Sequence, residues 1–451
     1  MAKGGVIVGS WTHRRGDVGG ARAVSAEVAH ARPDIAWSFA PPHGGRVDQV
    51  RVGADRIYVA TLGPSDPDAT GWEHATIYAL DALSGRVITE RLLPDPVPVA
   101  AMILDGESLH VLATRHGEPV FWYALDAYDL KPRHRRPLFV DIASVERGGR
   151  WDVLDAWASA DGGIWLELDS VAVGKRAYGF AIEDRVTLVP QYAAVAPPGG
   201  AAGTGATGAG EFVAPDDACC VGHTLYAPRA GVWDDAGSAT SPSLWQLDPS
   251  TANSVLMVEE PWARTGVTGP RSHMHALAGD GVVSAIAVAV DPTRERRALV
   301  QAMSVDRASG VVRAQSEVAR FPARDASGDT ARLARRPSGE VLFQLVGADG
   351  APASDLWRAA PDGTLSAMPF PNGKAILDAS LGDAVLTHYE GRGGRVIVAG
   401  IEIDRSGRLL GRRAQTLWSV ETPDIGGSAT IYAGAGHVFA RGSSGVAAIR
   451  V

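Results

Sequence analysis

The chain has 451 residues, 45% of them hydrophobic and 21% charged, which is too long for one compact core. It must therefore be several domains or one closed, repetitive architecture. A formal charge of −8 at pH 7 argues against a nucleic-acid binder, whose affinity comes from neutralising phosphates, and no apolar run approaches the ~18 residues of a membrane-spanning helix.

The first segment, MAKGGVIVGSWTHRRGDVGG, holds one short apolar run, Val6 to Val8, too short for the core of a signal peptide. The expectation is a soluble protein of the cytoplasm, or an exported, periplasmic one if a leader has been removed. Residues 1–34 are expected to form an extension that lies on the rest of the molecule or is disordered. Next comes an isolated strand, IAWSFAPP (Ile35 to Pro42), and then a complete unit of four: Val47 to Gly53, Arg56 to Leu62, Thr76 to Ala82 and Arg86 to Leu93. In LDALSGRV the Asp81 and Ser84 side chains can bond nearby backbone N–H groups and Gly85 can take a positive φ, so a hairpin joins the third strand to the fourth.

Versions of IYALDALSGRVI (Ile77 to Ile88) return as FWYALDAYDL from Phe121, LWQLDPSTA from Leu244, VQAMSVDRASGVV from Val300 and VAGIEIDRSGRL from Val398. Self-similarity at a loose period marks an array. The second strands of seven further units are expected near Ser108, Gly163, His223, Val282, Glu340, Ala384 and His437. The Gly/Ala-rich stretch at 196–210 reads as a flexible solvated insertion between the third and fourth units. The basic runs Lys131 to Pro137 and Thr293 to Arg297 read as charged edge strands or loop tips. The last unit has three strands and lacks its fourth.

A four-stranded antiparallel unit cannot bury both faces alone, so the units must stack face to face around an axis. The expectation is an all-β chain: one eight-bladed β-propeller of four-stranded antiparallel blades over residues 35–451. Its ring closes when the spare strand 35–42 pairs with the C-terminal blade, which removes an exposed edge.

ALDALSGRV, with its Ala-x-Asp-x-x-Ser/Thr-Gly core, and IAWSF resemble the repeats of pyrroloquinoline-quinone-type propellers. That family includes quinoprotein dehydrogenases and non-enzymatic members such as an outer-membrane assembly lipoprotein, and the resemblance is closer to the latter. Thr89 stands where the family's docking tryptophan falls after Gly85; Trp37 and Trp418 are the candidates for that role. In quinoprotein alcohol dehydrogenases a disulfide between adjacent cysteines packs against the quinone, so the resemblance implies that place for Cys219 and Cys220, the only cysteines in the chain.

Candidate chemistry gathers on the expected innermost strands. DDACCVGH (Asp216 to His223) reads as the innermost strand and turn of the fourth blade, and SHMHALAG (Ser272 to Gly279) as that of the fifth. His273 and His275, two apart, share a face, so Cys219 or Cys220, with His223 nearby, can meet them in the channel. Imidazole and thiolate together suit zinc or copper, with His273 and His275 as the metal-binding pair. The plainer reading is of buried structural cysteines and of histidines bonding carbonyls in a wet channel. Asp152, Arg332 and Asp378 complete the channel candidates, alongside Asp48, Asp155 and His388.

No nucleophile elbow, phosphate loop or zinc-protease helix occurs in the sequence. The expected function is a non-catalytic binding or scaffold protein that presents a ring face or its channel to a protein partner or small ligand, with Trp72, Trp233 and Trp262 as loop anchors. The alternative is a quinoprotein-like oxidoreductase or metal-dependent enzyme. It would use the channel at Cys219, Cys220, His273 and His275, with pyrroloquinoline quinone or a transition metal as cofactor.

Overall fold

The structure, a computed structural model, describes residues 6–8, 23–27, 33–64, 73–95, 97–114, 120–140, 152–170, 175–182, 185–189, 218–229, 231–232, 243–248, 253–259, 271–290, 296–324, 331–347, 351–368, 373–381, 384–391, 395–402, 415–426 and 429–451. The insertion at 196–210, the loop anchors Trp72, Trp233 and Trp262, and the start of the second basic run at 293–295 lie outside them.

The described strands form an eight-bladed β-propeller of antiparallel blades. Blade 1 is Arg46–Val52, Arg56–Pro64, Glu73–Asp81 and Val87–Leu92, in that order from the axis outward. The second strands of blades 2 to 8 begin at Ser108, Ile164, Thr224, Val282, Val341, Ala384 and His437, each within one residue of expectation. Blades 2 and 3 merge into one sheet because the ends of their outermost strands, Phe139–Val140 and Arg185–Val186, pair in parallel.

Ring closure follows the expected route. Asp34–Phe39 pairs antiparallel with Val446–Arg450 of blade 8, with Ile35 opposite Ile449 and Trp37 opposite Ala448. The N-terminal chain thus supplies the outermost strand of a blade whose other three strands come from the C-terminus.

Both faces of each blade are covered by neighbours, which explains why second strands such as VVSAIAVAV (Val282–Val290) read as nearly continuous apolar runs rather than alternating ones. Contiguous buried clusters occupy every junction. Tyr58 and Met102 meet between blades 1 and 2, Trp122 and Leu166 between 2 and 3, and Trp165 and Trp245 between 3 and 4. Tyr226 and Met274 meet between 4 and 5, Ile286 and Trp357 between 5 and 6, and Leu342 and Leu377 between 6 and 7. One cluster spans blades 7, 8 and 1, from Val398 through Phe439 to Trp37 and Val59. At ~25 cal/mol per Å² of apolar surface removed from water, these seams are the main source of stability.

The repeated turn has a plain cause. Asp81 Oδ1 accepts the Ser84 N–H at 2.8 Å and the Ser84 hydroxyl at 2.6 Å, while Gly85, at φ +69°, donates its N–H to the Asp81 carbonyl. Asp306, Ser309 and Gly310 repeat this in blade 5. In blade 2 Leu130 takes the glycine position at φ +57°. The basic run of blade 2 lies on its outermost strand, where Arg133 pairs with Asp126 and Arg135 with Asp95, as a charged edge strand should.

Two features near the axis were not foreseen. Val6–Val8 and Ala23–Glu27 form a hairpin, and its second strand pairs in parallel with the innermost strand of blade 7 at Ser380 and Leu381. In blade 5, Gly231–Val232 pairs with Arg271–Ser272 on the axial side, so the strand bearing His273 and His275 is not the innermost.

Candidate functional site

In a ring of radial sheets, side chains of an inner strand point at the two adjacent blades, and the channel meets the strand's edge. That geometry decides where the candidate residues go. Cys219 and Cys220 alternate: Cys219 packs with Tyr226 and Met274 between blades 4 and 5, Cys220 with Trp165 and Trp245 between blades 3 and 4. Both are buried thiols outside any disulfide. Burial pushes the Cys220 thiol up, the nearby Cys219 adding to it, so the thiolate needed for metal binding or nucleophilic attack is disfavoured. Pointing into two different seams rather than together into the channel, the two cysteines do not present the paired surface on which a quinone would pack.

His273 and His275 are 1% and 0% exposed. They share a strand face with Leu277, which belongs to the seam with blade 6, whereas Met274 and Ala276 belong to the seam that holds Cys219. The histidine pair and the cysteines are therefore on opposite faces or in different seams. His223 is exposed in the first turn of blade 4, where its carbonyl accepts Trp165 Nε1–H at 2.9 Å. Asp152 opens the inner strand of blade 3, opposite Asp169, and Arg332 lies opposite Gln344 in blade 6. Among the described residues, no group of three or more His, Cys, Asp or Glu side chains converges to hold a metal.

Asp378 does find a partner from the candidate set. It occupies a register break in the innermost strand of blade 7, between Leu377 and Ala379, and its Oδ2 lies 2.7 Å from His388 Nδ1, both groups buried. A bulge re-aims one side chain, and here it turns Asp378 toward the imidazole. With the carboxylate ionised, Nδ1–H donates to it and the tautomer is fixed. Such a pair can orient or relay a proton, but the channel edge of the same strand is covered at Ser380 and Leu381 by the N-terminal hairpin.

Other polar groups on first and second strands, missed from the sequence, are braces between blades. Buried Arg51 of blade 1 donates Nε–H to the Met102 carbonyl of blade 2 at 2.5 Å, and Gln49 donates to Ala100, at the register break of that strand. Gln344 of blade 6 donates to the Ala375 carbonyl at 3.0 Å and accepts the Leu377 N–H at 2.8 Å. For Gln344 the signal was available: a glutamine inside the otherwise apolar VLFQL has to serve a carbonyl or an amide.

The ring face that carries the first and last hairpin of each blade is exposed and apolar at blades 1 and 2. Leu83 and Tyr128 occupy equivalent tip positions in consecutive blades and are 71% and 75% exposed. Tyr128 is held rather than loose. The Arg56 guanidinium of blade 1 lies 4.2 Å from its ring centroid and donates to its carbonyl, and Tyr58 Oη donates to the Ala127 carbonyl at 2.8 Å. Burial pushes the Tyr58 phenol up to about 12, so it stays a donor. Val87, Ile88 and Leu92, on the outermost strand of blade 1, extend the apolar surface onto the rim.

No family model matches the chain, and no curated protein matches it in sequence. Solved structures do. A europium-containing methanol dehydrogenase superposes with a TM-score of 0.50 at 12% identity, over 98% of this chain and 98% of that one. The two share a propeller fold. Quinohemoprotein alcohol dehydrogenase from Comamonas testosteroni gives 0.49 at 12% identity over 98% of this chain and 80% of that one. BamB from Moraxella catarrhalis gives 0.33 at 11% over 93% and 100%. At these identities the likeness is one of fold alone.

Proposed function

We propose that the protein is a non-catalytic binding platform that presents the hairpin face of blades 1 and 2 to a protein partner. The observation that carries this reading is the pair Leu83 and Tyr128: large apolar side chains, exposed at equivalent tips of adjacent blades, one of them fixed from beneath by Arg56. Pre-organised apolar anchors of this kind, especially tyrosines, supply most of the binding energy in protein interfaces. The dispersal of Cys219, Cys220, His273 and His275 among separate seams supports a platform rather than a reaction centre. Among the described residues no helix is long and apolar enough to cross a membrane.

The experiment is site-specific photocrosslinking in the source cell, with the reactive side chain at position 128 and, as control, at exposed Glu390 of blade 7. The expected result is one crosslinked protein from position 128, absent from the control and reduced at least tenfold by Leu83→Asp. Identical products from the two positions, or none from position 128, would refute the reading.

A further inference from the structure

The eight blades share one slot, and in blade 5 it is not filled. Two residues beyond the pair that closes each blade's first hairpin, the second strand turns a side chain toward the seam with the next blade. Blades 1, 2, 3, 4 and 8 place a ring there: Tyr58, His110, Trp165, Tyr226 and Phe439. Blades 6 and 7 place a leucine. Blade 5 alone departs, with Ser284, which lies directly opposite Ser304 of the third strand. A serine cannot fill a space that elsewhere takes a ring, and interiors are otherwise close-packed. A cavity of about 350 Å³ is left at this point, between blades 5 and 6.

The lining suits an uncharged ring. Ile286 and Ala302 of blade 5 and Val341 and Ala359 of blade 6 form apolar walls, and all four belong to the buried cluster of this seam. Ser284 and Ser304 lie on the blade 5 side, and the last turn of blade 6, at 360–363, borders the hairpin end. The volume is at the low end of the ~300–1,000 Å³ of small-molecule sites, and a cavity of about 150 Å³ already takes one benzene ring. The arginines at the border are turned to other groups: Arg313 is paired with Asp306, and the Arg335 guanidinium is packed against Gly279.

The filled slots show what an occupant does at its far end. Tyr58 Oη donates to the Ala127 carbonyl of blade 2 at 2.8 Å, and Trp165 Nε1–H donates to the His223 carbonyl of blade 4 at 2.9 Å. In both cases a ring crosses the seam and a neutral donor at its tip bonds a carbonyl in a hairpin turn of the next blade. The turn of blade 6 that corresponds to the Ala127 turn of blade 2 is the one at 360–363, which lines the cavity.

We infer that this cavity binds a small neutral phenol, its ring in the slot that Ser284 leaves open and its hydroxyl donating to the turn at 360–363, as Tyr58 donates to the turn of blade 2. The slot lies on a different seam from the partner-binding tips of blades 1 and 2, so either reading stands if the other fails.

The test is titration calorimetry on the full chain with p-cresol, which is the tyrosine side chain itself and is neutral at pH 7, against p-xylene, its isostere without the donor. The expected result is saturable binding of p-cresol and at least fivefold weaker binding of p-xylene, the effect of one hydrogen bond. Ser284→Phe, which fills the slot as Phe439 fills that of blade 8, should lose at least tenfold in p-cresol affinity, whereas Ser284→Ala, which leaves it open, should stay within threefold of wild type. If Ser284→Phe does not fold, Ser284→Leu, the residue of blades 6 and 7, is read in its place. No saturable binding of p-cresol, equal affinity for p-xylene, unchanged affinity in the filled variant, or a tenfold loss in Ser284→Ala would each overturn the inference.

Discussion

Gly85 sits at φ +69°, and a Cβ there would lie 2.5 Å from the indole of Trp37; the same indole donates Nε1–H to the Ala82 carbonyl at 2.9 Å. Trp37 thus docks on the turn of blade 1 from the closing strand of blade 8. Gly85→Ala should cost ~1–2 kcal/mol for the left-handed backbone and ~1–3 kcal/mol more for displacing the ring. In a Trp37→Ala background only the backbone part should remain. A urea double-mutant cycle reads the difference, and a coupling below ~0.5 kcal/mol would mean the ring does not rest on the glycine. His110 gives a pH effect of defined sign. It accepts Trp122 Nε1–H at 3.1 Å through Nδ1, and burial, against the opposing charge of Asp105, pushes its pKa down from 6.5 to about 4. The unfolded chain binds the proton first, so this stability is present above pH ~6.5 and is lost as pH falls through about 4, up to ~3 kcal/mol in all. His110→Gln should flatten that part of the stability curve between pH 6.5 and 4; an unchanged slope would show that the imidazole titrates freely in the fold.

The last hairpins of blades 1, 2 and 5 are built on an aspartate, and the strength of its bonds shows in the carboxyl. Backbone and hydroxyl donation from Ser309 holds Asp306 down at about 2, and Ser84, chiefly through its hydroxyl, holds Asp81 below the usual carboxylate range. Blade 2 departs at Leu130, which accepts a left-handed backbone so that its side chain can fill the seam between blades 1 and 2. Relief of the backbone by Leu130→Gly is worth ~1–2 kcal/mol, while emptying a fully buried leucine site costs ~2–5 kcal/mol. Packing should win: the variant should be less stable by ~1–3 kcal/mol in urea unfolding, and a gain would show that the turn, not the seam, governs this position. The turn motif and the apolar runs made these elements legible, down to second strands displaced by at most one residue. The faces of His273, His275, Cys219 and Cys220 were not legible, because alternation tells which residues share a face and not which blade that face meets. The pairing of Asp378 with His388 depended on a register break that no turn residue announces. Trp418 likewise stays within its own blade's ladder, its indole lying over Gly400, which is opposite it in register.

For the whole molecule, closure of the ring is the step on which the seams depend, since opening one junction exposes two blade faces to water. The spare strand and the incomplete last unit announced it; of the N-terminal hairpin only the apolar run Val6–Val8 stood out, since AVSAE, its second strand, carries too little pattern to be read. The two N-terminal additions to the ring should differ sharply in stability. Asp34–Phe39 is paired along its length with Val446–Arg450, anchored by Trp37 on the blade 1 turn, and continuous with the cluster spanning blades 7, 8 and 1. Ala23–Glu27 meets blade 7 at only Ser380 and Leu381. Local opening free energy follows buried contact and ladder length. In native-state hydrogen exchange, amides of 35–39 should therefore be protected to the level of 446–450 and open only with global unfolding, whereas those of 23–27 should exchange at least a hundredfold faster. Trp37→Ala should bring the closing strand toward the faster class without altering exchange in the inner strands of blades 3 and 4. If residues 35–39 exchange early in the wild type, the ring is held by its seams alone and the closing strand is an ornament on blade 8.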